Sequence, residues 1–320
     1  MPPVPQDYLN DLNPVQREAV THSGGPVLVV AGAGSGKTRV LTYRIAHLIA
    51  EGTNPFAILA ITFTNKASDE MKRRVAALVG PVAQKMWVST FHSACVRILR
   101  REAPRLGIRS SFSIYDAGDS ERLIKLCMKD LNVDPKRMPP RAVAAAISDA
   151  KNKLTDAGLY ADFAENPWER SIGQIYGEYQ RRLRESSALD FDDLIMRCIE
   201  IFDRFPDALH NYQNRFEHIL VDEFQDTNFA QARFATLLAG QSRNIFVVGD
   251  ADQGIYAFRG ATIKNLLDFE RDWPDAHVIT LEQNYRSTKT ILSAANAVIE
   301  HNAMRKPKAL WTEAEGGELI

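Results

Sequence analysis

The chain has 320 residues, room for two compact domains or for one domain carrying a large insertion. Its hydrophobic share of 45% and charged share of 25% are those of a globular chain and exclude a disordered or fibrous one. With 39 Lys and Arg against 40 Asp and Glu, the net charge of −1 excludes a globally basic nucleic-acid binder, so any such contact must come from a local stripe.

The opening Met1-Pro2-Pro3-Val4-Pro5 lacks the basic-then-apolar pattern of a signal peptide. No apolar run reaches the ~18 residues of a membrane span, so a cytoplasmic protein without a membrane partner is expected. Short β-branched apolar runs recur at 26–31 (PVLVVA), 57–63 (AILAITF), 86–90 (MWVST), 218–221 (HILV), 244–249 (NIFVVG) and 277–281 (HVITL). Runs this short and apolar suit strands buried on both faces of a parallel sheet. Helical spacing lies between them: Val40, Leu41, Ile45, Leu48 and Ile49 form one apolar face, and Ala67, Met71, Val75 and Leu78 another. Strand alternating with helix predicts an α/β, doubly wound parallel sheet.

Between 107 and 188 the rhythm breaks and strand signals are scarce. Leu123, Ile124, Cys127 and Leu131 mark one helix; Ile172, Ile175, Tyr179 and Leu183 mark another, with Pro139-Pro140 and Gly158 as punctuation. This stretch reads as a mostly helical subdomain inserted into the α/β domain. The cysteines Cys95, Cys127 and Cys198 follow no metal-binding spacing and read as reduced, buried thiols.

The first chemical motif is Ala31-Gly32-Ala33-Gly34-Ser35-Gly36-Lys37-Thr38. It leaves a predicted strand and opens a predicted helix, the setting a phosphate loop requires. Glycines let backbone N–H groups turn toward phosphate oxygens, and the helix N-terminus adds partial positive charge. Lys37 can reach the β- and γ-phosphates, and Thr38 can ligate Mg²⁺. The general pattern starts with Gly where this chain has Ala31, a mild departure.

The second motif is Val221-Asp222-Glu223-Phe224-Gln225-Asp226, two adjacent acids at the end of an apolar run. In open α/β sheets ligands bind at the C-terminal ends of the strands. Asp222 suits an Mg²⁺ ligand, and Glu223 suits the base that orients and deprotonates an attacking water. Shared Mg²⁺ chemistry leads us to expect this pair and the phosphate loop on neighbouring strands. Together the motifs specify a nucleoside-triphosphatase, with its purpose still open.

Further motifs stand in a fixed order. Leu12-Asn13-Pro14-Val15-Gln16 precedes the phosphate loop. Thr62-Phe63-Thr64-Asn65-Lys66-Ala67 and Ser89-Thr90-Phe91-His92-Ser93 follow the next two strands. The run 247–261 (VVGDADQGIYAFRGA) follows the fifth, and 281–288 (LEQNYRST) the sixth. In this order and spacing the chain closely resembles superfamily 1 helicases of the UvrD/PcrA/Rep type, over essentially its whole length.

The resemblance implies a RecA-like phosphate-loop domain over 1–106 and 189–280, a helical insertion over 107–188, and the start of a second RecA-like domain over 281–320. It implies an ATP-dependent 3′-to-5′ DNA helicase and translocase of DNA repair and replication, whose ATPase is stimulated by single-stranded DNA. Its cofactors would be ATP and Mg²⁺; its partners, single-stranded DNA, duplex junctions and repair proteins. Gln16 matches the residue that reads adenine, and Arg39 and Tyr285 match the pair that sandwiches its ring. Gln253 matches a γ-phosphate sensor, and Arg286 an arginine on the γ-phosphate. Phe63, His92, Tyr256, Phe258 and Arg259 match positions that touch the single strand.

Read without the family, Phe63, Tyr256 and Phe258 are core aromatics, and Arg286 a member of a surface ion pair. Many family members carry an acid at Ala251, serine at Gly254 and tryptophan at Phe258, so the departures fall on the DNA side. A phosphate-loop kinase lacks reason for the DNA-side motifs. The alternative from a different class is a nucleotide- and DNA-binding module without unwinding activity of its own, since these 320 residues include only the opening of the second motor domain.

Overall fold

The computed structural model describes residues 7–256, 260–302, 306 and 308–316. Its strands are β1 (Val27–Ala31), β2 (Ile58–Thr62), β3 (Trp87–Thr90), β4 (Ser113–Tyr115), β5 (Ala188–Asp190), β6 (His218–Val221), β7 (Ile245–Gly249) and β8 (His277–Leu281). The chain divides into two compact units, one of Met1–Phe91, His210–Thr227 and Ala235–Ile320, the other of His92–Leu209 and Asn228–Phe234.

In the first unit, six strands form a sheet of order β3-β2-β6-β7-β1-β8, parallel at every pairing. Every residue of β1, β2 and β7 is buried, as expected for central strands covered on both faces. The helices packed on this sheet start where the sequence supplies caps or a turn glycine. Helix α1 (Pro14–Thr21) begins with a proline and a capping box between Asn13 and Gln16. Helix α2 (Lys37–Ala50) starts from Gly36, whose φ of 91° places it in the left-handed region that glycine tolerates. In α3 (Asn65–Val79), capped by Thr64, the buried apolar face is Met71, Val75 and Val79, and Leu78 packs against the same core while partly exposed. These helices bury Val40, Leu41, Ile45 and Val75 against Val29, Ala60, Val88 and Val248 of the sheet.

The sequence places the phosphate loop and the Asp222-Glu223 pair on neighbouring strands; the sheet separates them by one. Strand β7 lies between β1 and β6, and the segment after it therefore enters the middle of the site. Strand order is set by crossover connections, which local pattern does not encode.

The second unit contains α4 (Phe91–Glu102) from His92 onward, and α5 (Ala117–Asp130), α6 (Pro140–Asn152), α7 (Ala157–Asp162), α8 (Pro167–Glu185) and α9 (Phe191–Arg204). Ile124, Cys127, Val143, Ile147, Ile172, Ile175, Tyr179 and Leu183 share its core. Leu131, assigned from sequence to the α5 face, is exposed beyond the helix end. The unit also holds a two-stranded parallel sheet, β4 with β5, which the sequence reading lacks because each strand has only three residues. The unit's interior is not purely apolar. Lys151 Nζ lies fully buried, 2.6 Å from Asp190 Oδ2 and 3.0 Å from Asp193 Oδ1. Asp190 also caps α9 in a box with Asp193. The cysteines are free and buried, and among the described residues no helix is long and apolar enough to cross a membrane.

Candidate functional site

The phosphate loop is shaped by the bonds its carbonyls make. Gly32 O accepts from Ser35 Oγ at 2.8 Å, Ala33 O from Asn284 Nδ2 at 2.6 Å and Gly34 O from Tyr285 N at 3.0 Å. Ser35 O accepts from Gln16 Nε2 at 2.9 Å, and Gly36 O from Val40 N at 2.9 Å. With its acceptors tied outward, the loop is left as a donor surface at the mouth of α2, which suits an anion. Gly34 has a φ of 69°, and a Cβ there would meet Asn284 Nδ2 at 2.6 Å. Asn284 is itself buried and accepts from Arg286 N at 2.8 Å and Ser287 N at 2.7 Å through Oδ1.

The charged groups form a closed ring. Lys37 Nζ donates to Glu223 Oε2 at 2.8 Å and to Gln253 Oε1 at 3.3 Å. Gln253 Nε2 donates to Asp250 Oδ2, and Asp250 N donates to Gln225 Oε1 at 3.0 Å. Gln225 Nε2 returns to Glu223 Oε2 at 2.8 Å. The five members come from three strand ends at one sheet edge: Lys37 beyond β1, Glu223 and Gln225 beyond β6, and Asp250 and Gln253 beyond β7. Glu223 is held with φ at 48°, a left-handed conformation that non-glycine residues adopt at a cost and that aims its carboxylate at Lys37.

Asp222 closes β6 and is buried, with Oδ1 accepting from Glu223 N at 3.0 Å. Burial, then the neighbouring Glu223 charge, pushes its carboxyl up to about 7. Asp222, Glu223, Asp250 and Asp252 outnumber the lysines that meet them, Lys37 and Lys308. This excess of acidic side chains fits a divalent cation. Among the described residues no cluster of three or more His, Cys, Asp or Glu could hold a metal alone. An Mg²⁺ at Asp222 and Thr38 would therefore complete its shell with phosphate oxygens and water.

Gln16, Arg39, Tyr285 and Arg286 lie beside the phosphate loop. Gln16 is buried and uses both ends of its amide within the protein, Nε2 on Ser35 O and Oε1 accepting from Asn13 N at 3.2 Å. It props the phosphate loop. Arg39 and Tyr285 are exposed and reach the same segment ahead of α1: Arg39 Nη1 donates to Asp11 O at 3.4 Å, and Tyr285 OH accepts from Asn13 Nδ2 at 2.8 Å. Arg286 is exposed beside Asn284. At the same sheet edge the rings of Phe63 and Tyr256 pack 4.9 Å apart, both partly exposed. In the second unit His92, whose pKa burial lowers, meets the exposed Phe191 ring edge-on at 5.6 Å. Phe258 and Arg259 lie outside the described residues.

Sequence reasoning missed Asn13, Asn284, Gln225 and Asp250 as working parts, although all stand inside the quoted motifs. It missed Phe191 and Lys308 because neither belongs to one.

Comparison with known proteins gives the family of the chain. The UvrD/REP helicase N-terminal domain matches residues 12–274, and the UvrD-like helicase C-terminal domain matches residues 279–320. The chain is 56% identical to the ATP-dependent DNA helicase UvrD1 of Mycobacterium tuberculosis (strain ATCC 25618 / H37Rv), over 99% of this chain and 43% of that protein. It is 53% identical to the ATP-dependent DNA helicase PcrA of Bacillus subtilis (strain 168), over 99% of this chain and 43% of the relative. The PcrA of Staphylococcus aureus (strain NCTC 8325 / PS 47) is 53% identical over 98% of this chain and 43% of its own length. The chain thus spans less than half the length of the curated relatives it matches.

Proposed function

This chain belongs to the UvrD/REP helicase family, and from the ring around Lys37 we propose that it binds and hydrolyses ATP with Mg²⁺ as the N-terminal, ATP-binding portion of a DNA helicase. The observation that carries the proposal is the ring itself. It joins Lys37 to Glu223 and Gln253, residues 186 and 216 positions away that belong to separate motifs.

The chemistry follows from the side chains. The donor surface of the loop and the α2 N-terminus receive the phosphates, and Lys37 leaves Glu223 for the β- and γ-oxygens. Thr38 and Asp222 would hold Mg²⁺, which supplies charge neutralisation on those oxygens. Released from Lys37 but still held by Gln225, Glu223 accepts a proton from the water that attacks the γ-phosphorus. The bond from that phosphorus to the bridging oxygen breaks, and its electrons leave with ADP. Gln253 registers the γ-phosphate, and Arg286 adds charge when brought against it. Arg39 and Tyr285 flank the adenine, and Gln16 acts on it through the loop it supports.

On the DNA side, Phe63 and Tyr256 present ring faces at the sheet edge, suited to stacking on bases without sequence preference. His92, Phe258 and Arg259 complete the strand contacts that the family pattern implies. We assign the family's 3′-to-5′ direction, its preference for single strands and junctions, and its setting in DNA repair and replication to the intact protein on the strength of the 53–56% identity.

The test is phosphate release by the purified chain at saturating ATP and Mg²⁺, with and without oligo(dT). The proposal expects release that rises with DNA and disappears in Lys37→Ala. Release indifferent to DNA would contradict the helicase reading, and release that survives Lys37→Ala would contradict the site.

A further inference from the structure

The segment 308–312 lies directly on the nucleotide site. Trp311 N donates to Glu282 O at 3.0 Å, and Asn284 N donates to Trp311 O at 2.7 Å, so the segment extends the motif after β8. Leu310 covers Gly32 so closely that a Cβ there would come 2.2 Å from its Cδ2. Asn296, on the helix Lys289–Ile299, donates to Leu310 O at 3.1 Å. Thus anchored, the segment drives one charge into the site: the Lys308 side chain is 3% exposed.

Lys308 Nζ sits 2.6 Å from Asp250 Oδ1 and also pairs with Asp252. Asp250 offers its other oxygen to Gln253 Nε2, which leaves Gln253 Oε1 facing Lys37 Nζ at 3.3 Å. Reversing that amide would turn its NH₂ toward the Lys37 ammonium, donor against donor, and its oxygen toward the Asp250 carboxylate. Packing alone does not enforce the orientation. A cavity of about 140 Å³ lies here, lined among others by Ala33, Gln253, Asn296 and Lys308. Losing one partner of a buried pair of this kind strands the other charge.

We propose that Lys308 is a positioning residue for Gln253: by holding Asp250 and Asp252 in place, it sets which end of the Gln253 amide faces the phosphate loop and ties that amide to the 308–312 segment. The proposal rests on the reading of Gln253 as the γ-phosphate sensor. It makes the segment after the Lys289–Ile299 helix part of how a triphosphate is told from a diphosphate.

The test uses the 320-residue chain as it stands, with Lys308→Met, Lys308→Arg, Gln253→Ala and the double variant Lys308→Met/Gln253→Ala. Two quantities are read for each. One is hydrogen exchange of peptides covering 250–253. The other is the ratio of affinities for the β,γ-imido triphosphate analogue and for ADP, both with Mg²⁺. Lys308→Met should speed exchange at 250–253 and lower the affinity ratio by about tenfold, with ADP binding held within about twofold. Lys308→Arg should restore much of both. The double variant should lose no more discrimination than Gln253→Ala alone, because the two residues act through one amide.

Unchanged exchange in Lys308→Met would overturn the proposal. So would equal loss of both nucleotides, or losses that add in the double variant. If exchange quickens but Gln253→Ala leaves the ratio untouched, the sensor reading fails while the Lys308 tether stands. The two failures are therefore distinguishable.

Discussion

Lys37 Nζ lies 2.8 Å from Glu223 Oε2, so the phosphate-loop lysine and the proposed catalytic base neutralise each other. The Lys37 side chain is 10% exposed and that of Glu223 34%, which makes this a partly shielded pair. In the proposed mechanism a phosphate group competes with Glu223 for the same ammonium, so that binding a triphosphate and freeing the base become one event.

Replacing Glu223 by Gln should separate binding from chemistry. The amide is a poor proton acceptor, and removing a general base typically costs ~10²–10⁴-fold in rate. Triphosphate affinity should hold or tighten, because the competing charge on Lys37 is gone. Single-turnover hydrolysis and equilibrium binding measured on Glu223→Gln check both halves. Hydrolysis at the parent rate would remove Glu223 from the base role.

The buried centre of the second unit should be sensitive to one charge. Lys151→Met leaves Asp190 and Asp193 facing each other without their cation, and breaking such a pair costs about 3–5 kcal/mol. Asp193→Asn added to Lys151→Met should recover part of that loss by removing one stranded carboxylate. Urea unfolding of the single and double variants measures it. A single variant as stable as the parent would show that the site relaxes or hydrates at little cost.

His218 gives a pH dependence with a definite sign. Burial, and then the Arg44 charge, lowers it from 6.5 to about 4. The unfolded chain therefore takes up the proton first. Neutral His218 contributes its full stability above about 6.5, and that contribution is lost as pH falls from there to about 4. The stability difference between the parent and His218→Gln should be constant above neutrality, shift against the parent between those values, and level off below. A difference independent of pH across urea titrations would contradict the assignment.

On the DNA side, Tyr256→Ala should weaken single-strand binding by roughly 1–3 kcal/mol if its ring stacks on a base. The loss should be similar for different sequences, and parent affinity should fall as salt rises. Fluorescence anisotropy with labelled oligonucleotides reads both. Unchanged affinity would leave Tyr256 as a packing partner of Phe63, 4.9 Å away.

How much of this was legible depended on whether the information is local. The run Val27–Ala31 followed by Gly-rich turn and Lys37 declares a buried strand, a phosphate loop and a helix at once. The three-residue strands β4 and β5 are too short to show a period. Strand order, which inserts β7 between β1 and β6, is a property of crossovers. Gln16 is a clear motif residue, yet its buried amide and its bond to Ser35 O are visible only in three dimensions. The helix Lys289–Ile299 shows the opposite limit. Its apolar Ile291 and Val298 are exposed while Leu292 is buried, because apolar spacing does not say whether a partner covers each position.

The most direct test of the account is equilibrium binding of a fluorescent ATP analogue, with Mg²⁺, to the parent chain and to Lys37→Ala. The account predicts saturable binding by the parent that ADP competes away. It predicts at least a tenfold loss, about 1.4 kcal/mol or more, in Lys37→Ala. Equal affinity in the two proteins would place the nucleotide away from the phosphate loop, and the ring from Lys37 to Glu223 would need another explanation.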